Sequence, residues 1–318
     1  MKVLANDGIS ASGISALKNA GYTVITDNVK QEDLIDYINK EDIGVLLVRS
    51  ATTARQDMID ACPGLKLLGR GGVGMDNIDV QYARDNGRTV VNTPAASSQS
   101  VAELVMGHLF AISRFLNDSY KNMESGDFST LKKKYGKGVE LKGKNLTIVG
   151  FGRIGQSLAE YAIGCGMNVT AVDTTTEPRS ISIQLGNGLS ANTTITPIPS
   201  LEEGIKNADY ISLHIPKQTD GSAVITKKEF AMMKDGVRIA NAARGGVINE
   251  DDLLESLNSN KVAGIALDVF ENEPNPRKDL LNHPKIACTP HIGAATGEAQ
   301  DRIGTELASL IIEKFGTF

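Results

Sequence analysis

The sequence contains no tryptophan and only three cysteines, and its aromatic content is 5%. Cys62, Cys165 and Cys288 are far apart and form no Cys-x-x-Cys pair, which argues against a disulfide framework and against a zinc site. Cys288 lies close to His291, so a catalytic thiol is one interpretation, but its apolar neighbours favour a packed structural cysteine. We therefore predict no bound metal and a reducing compartment.

The chain also lacks long apolar runs and any excess of positive charge. Its net charge is -5, with 22% charged and 41% hydrophobic residues, a balance typical of globular proteins rather than nucleic-acid binders. No apolar stretch is long enough to span a bilayer, and the N-terminus MKVLANDGIS lacks the apolar core of a secretory signal. We expect a cytoplasmic protein that binds neither nucleic acid nor membranes.

The hydrophobic pattern indicates two α/β domains. Short apolar runs alternate with amphipathic stretches over residues 3–91 and again over 145–289, a pattern typical of parallel sheets covered by helices on both faces. With 318 residues, the chain is long enough for two separate cores.

Three other segments carry specific predictions. Ser100 and Glu103 have capping-box spacing and predict the start of a long helix into the second domain. The stretch 174–200 is rich in Ser, Thr, Asn, Gly and Pro, which predicts mostly loop. A final helix over 297–315 is expected to pack on the first domain.

The strongest motif is a glycine turn between two apolar strands, with Gly150, Gly152 and Gly155 followed by a helix. The first glycine permits the tight turn, the second lets a pyrophosphate approach the backbone, and the third allows close packing of helix and strand. Asp173 ends the second strand, 18 positions after Gly155 (173 minus 155). A carboxylate at this place accepts ribose hydroxyls and repels a 2'-phosphate, so NAD is favoured over NADP, although Arg179 could weaken that preference.

A second glycine pattern, at Gly69, Gly71 and Gly74, has Asn92 at the position of the acid. It is therefore not expected to bind a dinucleotide. We interpret it as a nest of backbone N–H groups for a substrate carboxylate, with an ordinary strand-to-helix turn as the alternative.

Three residues in the distal half could carry acid–base chemistry on a hydroxy acid. Arg244 follows a predicted strand and suits bidentate carboxylate binding, while Glu273 and His291 each follow a later strand. A carboxylate beside the imidazole would fix which ring nitrogen faces the substrate, so that His291 can accept and return a proton. Among the other histidines, His108 is predicted to be a core residue, and His214 to border the cofactor.

The sequence resembles the D-2-hydroxyacid dehydrogenase family, and most closely its 3-phosphoglycerate dehydrogenase branch. The resemblance runs nearly end to end and rests on the segments GRGGVGMDNID, GFGRIG, NAARGGVIN, LDVFENEP and PHIGAATGEAQ. It implies an α/β fold: a Rossmann-type doubly wound parallel sheet domain and a smaller flavodoxin-like substrate domain. It places the substrate domain at residues 1–96 and 293–318, the NAD-binding domain at 97–292, and it implies a homodimer.

The resemblance also implies roles for individual residues. Arg244, Glu273 and His291 would be catalytic, and Asp268 would hold the nicotinamide carboxamide. The expected cofactor-binding set is Gly150, Gly152, Arg153, Ile154, Gly155, Asp173, His214, Pro216, Ala242, Asp268 and Gly293. The expected substrate-binding set is Arg49, Ser50, Arg70, Val73, Gly74 and Arg244.

The implied activity is NAD-dependent oxidation of D-3-phosphoglycerate to 3-phosphohydroxypyruvate, the entry to serine biosynthesis, with Arg49 and Arg70 facing the phosphate. The same chemistry on hydroxypyruvate, glyoxylate or D-lactate is the alternative. A third interpretation is an NAD-sensing corepressor, which no basic or disordered tail supports. Because the sequence ends at Phe318, without the serine-sensing domains of longer relatives, we expect no serine feedback within this chain.

Overall fold

The computed structural model describes residues 1–124 and 126–318. Its strands, in chain order, are β1 (Lys2–Ala5), β2 (Thr23–Ile25), β3 (Ile43–Val48), β4 (Leu67–Arg70), β5 (Thr89–Asn92), β6 (Asn145–Val149), β7 (Asn168–Val172), β8 (Arg179–Gly186), β9 (Leu189–Ile195), β10 (Tyr210–Leu213), β11 (Val237–Asn241), β12 (Val262–Leu267) and β13 (Ile286–Cys288).

The α-helices are α1 (Ala11–Asn19), α2 (Leu34–Lys40), α3 (Gln56–Ala61), α4 (Val80–Asp85), α5 (Ser98–Arg114), α6 (Leu116–Asn122), α7 (Phe128–Tyr135), α8 (Arg153–Gly164), α9 (Leu201–Lys206), α10 (Lys227–Met232), α11 (Glu250–Asn258), α12 (Lys278–Leu281) and α13 (Gly297–Phe315). The strands and helices fall into two compact units. The first unit is Met1–Ser98 with Ala294–Phe318, and the second is Gln99–Gly293. Each boundary lies one or two residues from the predicted one.

The first unit is a parallel sheet in the order β2-β1-β3-β4-β5, which is the flavodoxin-like order. Its central strand β3 is apolar and buried throughout, as expected for a strand covered on both faces. Leu46 packs among α2 and α3 on one face, whereas Leu47 packs among α1 and α13 on the other. The predicted flavodoxin-like domain is therefore confirmed.

The last helix, α13, completes the first unit. A Cβ added to Gly13 of α1 would stand 2.6 Å from the carbonyl oxygen of Gly304 in α13, so the two helix backbones lie in direct contact. Leu307 and Ile311 continue this contact into the core. The prediction that the final helix packs on the first domain is confirmed.

The second unit is a parallel sheet in the order β13-β12-β11-β10-β6-β7. Beyond β7, Ile198 forms an isolated parallel bridge with Val172, so a short remnant occupies the outermost place of a Rossmann sheet. Helices α5 and α8 cover one face through residues such as Leu109 and Leu158, and α9 to α12 cover the other. The predicted Rossmann-type domain is confirmed.

The prediction of loop over 174–200 was wrong, because β8 and β9 form an antiparallel hairpin there. The turn includes Asn187 with φ +50° and glycines at 186 and 188 with φ near +80°, which is the turn chemistry of short hairpins. Ile181 and Ile183 are buried and alternate with Ser180 and Ser182, so the signal was present but was masked by the polar composition.

The capping-box prediction at Ser100 was also wrong. Helix α5 begins two residues earlier, at Ser98, and the Ser100 hydroxyl donates instead to the carbonyl oxygen of Gly293 at 2.6 Å. Glu103 accepts a hydrogen bond from the hydroxyl of Tyr161 at 2.7 Å. Tertiary partners therefore replace the local cap. Within the described residues, no helix combines the length and apolar character needed to cross a bilayer.

Candidate active site

The glycine turn after β6 has the geometry of a phosphate cradle. Gly150 has φ +92° and a Cβ there would stand 2.5 Å from the carbonyl oxygen of His214, while a Cβ on Gly155 would stand 2.3 Å from the carbonyl oxygen of Gly150. Both positions therefore require glycine for close packing. Gly152, in contrast, has open space where a Cβ would stand and precedes Arg153, the first residue of α8, without a side-chain cap. The N-terminal amides of α8 are thus available to an anion.

Asp173 lies beside this turn at the end of β7. Its carboxylate accepts hydrogen bonds from the amide of Phe151 at 2.6 Å and from the amide of Thr175 at 3.0 Å. These bonds hold the carboxylate next to the glycine turn, where ribose hydroxyls are bound in dinucleotide folds. Arg179, the cation that could have weakened the preference for NAD, is paired with Glu177 at 3.4 Å.

His214 follows β10 on the other side of the turn. Its Nε2 lies 2.8 Å from the Ser212 hydroxyl, whereas its buried Nδ1 has no hydrogen-bond partner within the described part of the chain. Burial lowers the pKa of His214 to about 4, so the ring is neutral at physiological pH. An unsatisfied buried nitrogen, the open space at Gly152 and the carboxylate of Asp173 together fit a dinucleotide.

Replacement of Gly152 by alanine tests the cradle. Since the new Cβ meets nothing within 4 Å, we expect an unchanged melting temperature. If a pyrophosphate approaches this backbone, the methyl group blocks it, and the KM for NADH should rise by about tenfold or more. Steady-state kinetics and thermal denaturation measure the two effects. Gly297→Ala, which also adds a Cβ in open space, is the control, and an unchanged KM for NADH in Gly152→Ala would contradict the assignment.

Glu273 and His291 form the carboxylate–imidazole pair expected from the sequence. The Glu273 Oε2 lies 2.8 Å from Nδ1 of His291, and its Oε1 accepts a hydrogen bond from the amide of Phe270 at 2.9 Å. Burial acts to raise the pKa of Glu273, but the bonds from His291 and Phe270 and the charge of Arg244 outweigh it and hold that pKa below its ordinary value. The carboxylate therefore stays ionised, and Nε2 of His291 is left to face a substrate.

Asp268 holds the loop that carries His291. It is 1% exposed, and its two oxygens accept hydrogen bonds from the Thr289 hydroxyl at 2.6 Å and from the amides of Ile292 and Gly293, both at 2.9 Å. A buried carboxylate with this many donors is well stabilised. The structure thus gives Asp268 a set of partners in the loop that carries His291, in addition to the role implied by the resemblance.

Arg244 lies in a turn fixed from two sides. The amide group of Asn241 donates to the Arg244 carbonyl oxygen at 3.0 Å, and the amide of Ala243 donates back to the Asn241 side chain at 3.0 Å. A Cβ on Gly245 would stand 1.8 Å from the Phe270 carbonyl oxygen. The backbones at 245 and 270 are therefore in contact, which brings the turn of Arg244 to the loop of Glu273.

A cavity of about 400 Å³ adjoins Glu273 and His291. Its lining includes Glu273 and His291 and is otherwise mostly apolar, with Phe270, Leu281 and Cys288 among its residues. Burial raises the pKa of Cys288 to about 11, so the thiolate is disfavoured at neutral pH. This supports the interpretation of Cys288 as a structural cysteine rather than a nucleophile.

In the first unit, the other glycine turn follows β4. Gly72 has φ +136°, and a Cβ there would overlap the Arg70 guanidinium at 1.8 Å. The side chain of Arg70 therefore lies along the turn. The Asn92 side chain donates to the Val73 carbonyl oxygen at 2.7 Å. Among the described residues, no hydrogen bond is seen from the amides of Val73 or Gly74, which is the state required of a carboxylate nest.

Arg49 stands beside the same turn, at the end of the neighbouring strand β3. Its Cγ lies 3.7 Å from the place of a Cβ on Gly71, and its amide donates to Asp7 at 2.6 Å. Asp7 also accepts from the amide of Thr52 at 3.1 Å, and the Asn77 side chain donates to the Arg49 carbonyl oxygen at 2.7 Å. These hydrogen bonds therefore fix the backbone of the loop from Arg49 through Ser50 to Thr52.

Several of these positioning residues were missed in the sequence. Asp7 and Asn241 are polar residues at the carboxyl ends of buried strands, which is the signal that also identified Arg244. Gly245 follows Arg244 directly, but the backbone it approaches is some 25 residues away in the chain (270 minus 245). Close approach of that kind has no local signal.

Comparison with known proteins agrees with this geometry. Residues 106–293, over half of the chain, match the family described as D-isomer specific 2-hydroxyacid dehydrogenase, NAD binding domain. A hydroxypyruvate reductase of Thermotoga maritima is 39% identical over 99% of this chain and 98% of its own length. A D-3-phosphoglycerate dehydrogenase of Methanocaldococcus jannaschii is 38% identical over 98% of this chain, which spans 57% of that longer protein. A glyoxylate reductase structure from Paecilomyes thermophila superposes with a TM-score of 0.83 at 27% identity, covering 100% of this chain and 96% of that one.

Proposed function

Since the chain belongs to the D-2-hydroxyacid dehydrogenase family and contains its NAD-binding domain, we propose that it oxidises D-3-phosphoglycerate to 3-phosphohydroxypyruvate with NAD. This reaction opens serine biosynthesis, and the expected cytoplasmic location is part of the same proposal. The first unit would bind the anionic groups of the acid, and the second would carry the cofactor and the proton chemistry.

The observation that carries the choice of substrate is a pair of arginines at one glycine turn. Arg70 ends β4, and its register partner Val48 immediately precedes Arg49. Both side chains lie at the turn that offers the amides of Val73 and Gly74. A nest of two amides suits one carboxylate, so two additional cations suit a substrate with a second anionic group, such as a phosphate.

The proton chemistry is assigned to the second unit. His291 accepts the proton of the C2 hydroxyl in oxidation and returns it in reduction, and Glu273 stabilises the resulting imidazolium through the bond of 2.8 Å. Arg244, held by Asn241 and Gly245, binds the carboxylate of the hydroxy acid. NAD supplies the acceptor for the hydride that leaves C2.

The cofactor side of the proposal rests on the glycine turn that follows β6. Asp173 is held beside it, and the cation at 179 is paired with Glu177, so the negative charge that repels a 2'-phosphate is not offset. We assign the pyrophosphate to the amides after Gly152. The surrounding positions proposed to contact the cofactor are Arg153, Ile154, His214, Pro216, Ala242, Asp268 and Gly293.

Substrate choice is tested by reduction of 3-phosphohydroxypyruvate and of hydroxypyruvate with NADH. In Arg49→Gln and Arg70→Gln we expect kcat/KM to fall by about 10- to 100-fold for the phosphorylated substrate and far less for hydroxypyruvate. The reason is that a hydrogen bond to a charged group is lost only with the phosphorylated substrate. Arg55→Gln, which breaks an exposed ion pair with Asp79 in the same unit, is the control. Equal losses on both substrates, or a wild type that ignores the phosphate, would contradict the proposal.

Reduction of hydroxypyruvate is the second candidate. The Thermotoga maritima protein named for that activity matches this chain over almost its full length. In that case Arg49 and Arg70 would bind the carboxylate and the hydroxyl end of an unphosphorylated acid. The same panel of substrates decides between the two.

We also propose that a second copy of this chain covers the apolar surface of α5 to α7, giving a homodimer. Phe110, Leu116, Tyr120, Met123 and Phe128 are all large and exposed, from 43% for Phe110 to 86% for Tyr120, and such a concentration marks an interaction surface. Tyr120→Asp with Phe128→Asp should halve the mass measured by light scattering. Leu185→Asp, at an exposed apolar residue of the hairpin, should leave the mass unchanged; a monomeric wild type would refute the dimer.

A further inference from the structure

A largely buried chain of hydrogen bonds joins α5 to the loop that carries His291. His108 of α5 is 6% exposed, and its Nε2 lies 3.0 Å from the hydroxyl of Thr289. That hydroxyl lies 2.6 Å from Oδ1 of Asp268, whose oxygens also accept the amides of Ile292 and Gly293. One helix side chain is therefore connected to both sides of His291.

The direction of these bonds follows from their chemistry. A threonine hydroxyl has one proton to donate, and the carboxylate of Asp268 can only accept. Thr289 must therefore donate to Asp268, which leaves its oxygen lone pairs for His108. The ring of His108 must donate from Nε2. Burial lowers the pKa of His108 against the opposing charge of Asp268, so the ring is neutral at physiological pH and carries its proton on Nε2.

We propose that His108 is a positioning residue, whose Nε2–H orients Thr289 and Asp268 and so fixes the segment 289–293 that presents His291. The proposal rests on the proposed role of His291 as the proton carrier. The segment needs such support, because His291 has φ +54° and its side chain is 42% exposed. Ser100, on the same helix, holds the other end through the Gly293 carbonyl oxygen.

An apolar residue at position 108 would fill the core at a lower cost of desolvation. The polar side chain is thus explained by its hydrogen bond rather than by packing. In a network of this kind each bond also polarises the next, so the loss of the first donor weakens the contacts of Asp268.

The first test separates positioning from packing by kinetics, on whichever 2-oxo acid the wild type reduces best. His108→Leu should lower kcat by about tenfold, the equivalent of one hydrogen bond, with little change in the KM for NADH. His108→Gln places an amide donor at similar reach and should recover most of the loss. Leu109→Ala opens a cavity at a fully buried neighbour and should lower the melting temperature without the loss in kcat. An unchanged kcat in His108→Leu, no recovery in His108→Gln, or an equal loss of kcat in Leu109→Ala would each overturn the proposal.

The second test does not depend on activity. With four histidines in the chain, long-range proton–nitrogen NMR of protein labelled with ¹⁵N-histidine can read each tautomer, and the His108→Gln variant identifies the signal of His108. We expect the neutral Nε2–H form at pH 7, and a neutral Nδ1–H form would overturn the proposal. A wild type without turnover on any 2-oxo acid would contradict the proposed function. The tautomer of His108 would still show whether its Nε2–H donates to Thr289.

Discussion

Replacement of His291 by asparagine is expected to lower kcat by about 10²- to 10⁴-fold, the range that general acid–base catalysis contributes. The asparagine amide can still donate to Glu273 in place of Nδ1, so the loop that carries residue 291 keeps this contact. It cannot take up or release a proton at the position of Nε2. NADH binding, measured by fluorescence titration, should stay within a few-fold of the wild type, because the glycine turn is untouched.

His283→Asn is the matched control for this prediction. His283 lies in the same unit, and its Nδ1 accepts a hydrogen bond from the amide of Lys285, but it has no part in the proposed chemistry. It should keep nearly all activity. A His291→Asn enzyme with almost normal kcat would show that another group moves the proton, and the assignment of Glu273 would fail with it.

Replacement of Gly245 by alanine should lower kcat/KM by about 10²-fold, although the residue makes no side-chain contact. The added Cβ would overlap the Phe270 carbonyl oxygen at 1.8 Å, and both partners are backbone, so the turn and the loop must move apart. Arg244 is on one side of this contact and Glu273 is on the other. A displacement of about 1 Å at reacting groups can cost 10²-fold.

The measurement combines steady-state kinetics with NADH titration and thermal denaturation. NADH binding should persist, since the contact lies outside the turn of Gly150, and a lowered melting temperature is expected from the strain. Gly297→Ala again serves as the control, because its Cβ meets nothing within 4 Å. Nearly normal kcat/KM in Gly245→Ala would mean that this contact does not set the position of Arg244 relative to Glu273.

Much of the fold could be predicted from the sequence because its signals are local. Strands such as β3 and β12 are continuous apolar runs apart from one glycine each, and the glycines at 150, 152 and 155 specify their own turn. The hairpin β8–β9 was missed because its alternation involves serine and threonine. Its apolar residues, Ile181 and Ile183, identify it only once α8 is known to lie beside them.

The candidate site also has one part that could be predicted from the sequence and one part that could not. The pairing of Glu273 with His291 was predicted because both follow parallel strands, whose carboxyl ends meet at one edge. The hydrogen bond of His108 to Thr289 could not be predicted, since it joins residues 181 positions apart and helix periodicity alone indicates only that position 108 is buried. Long-range hydrogen bonds depend on the final packing, which the local sequence does not encode.

The contact between Gly13 and Gly304 determines when the first unit can be completed during synthesis. Residues 1–98 emerge from the ribosome with one face of their sheet, including Leu47 and Leu67, still missing α13. The inserted unit, Gln99–Gly293, is synthesised in full before that helix appears and can fold by itself. The N-terminal segment therefore waits for α13, and the apolar face that this helix covers stays exposed until the helix has been synthesised.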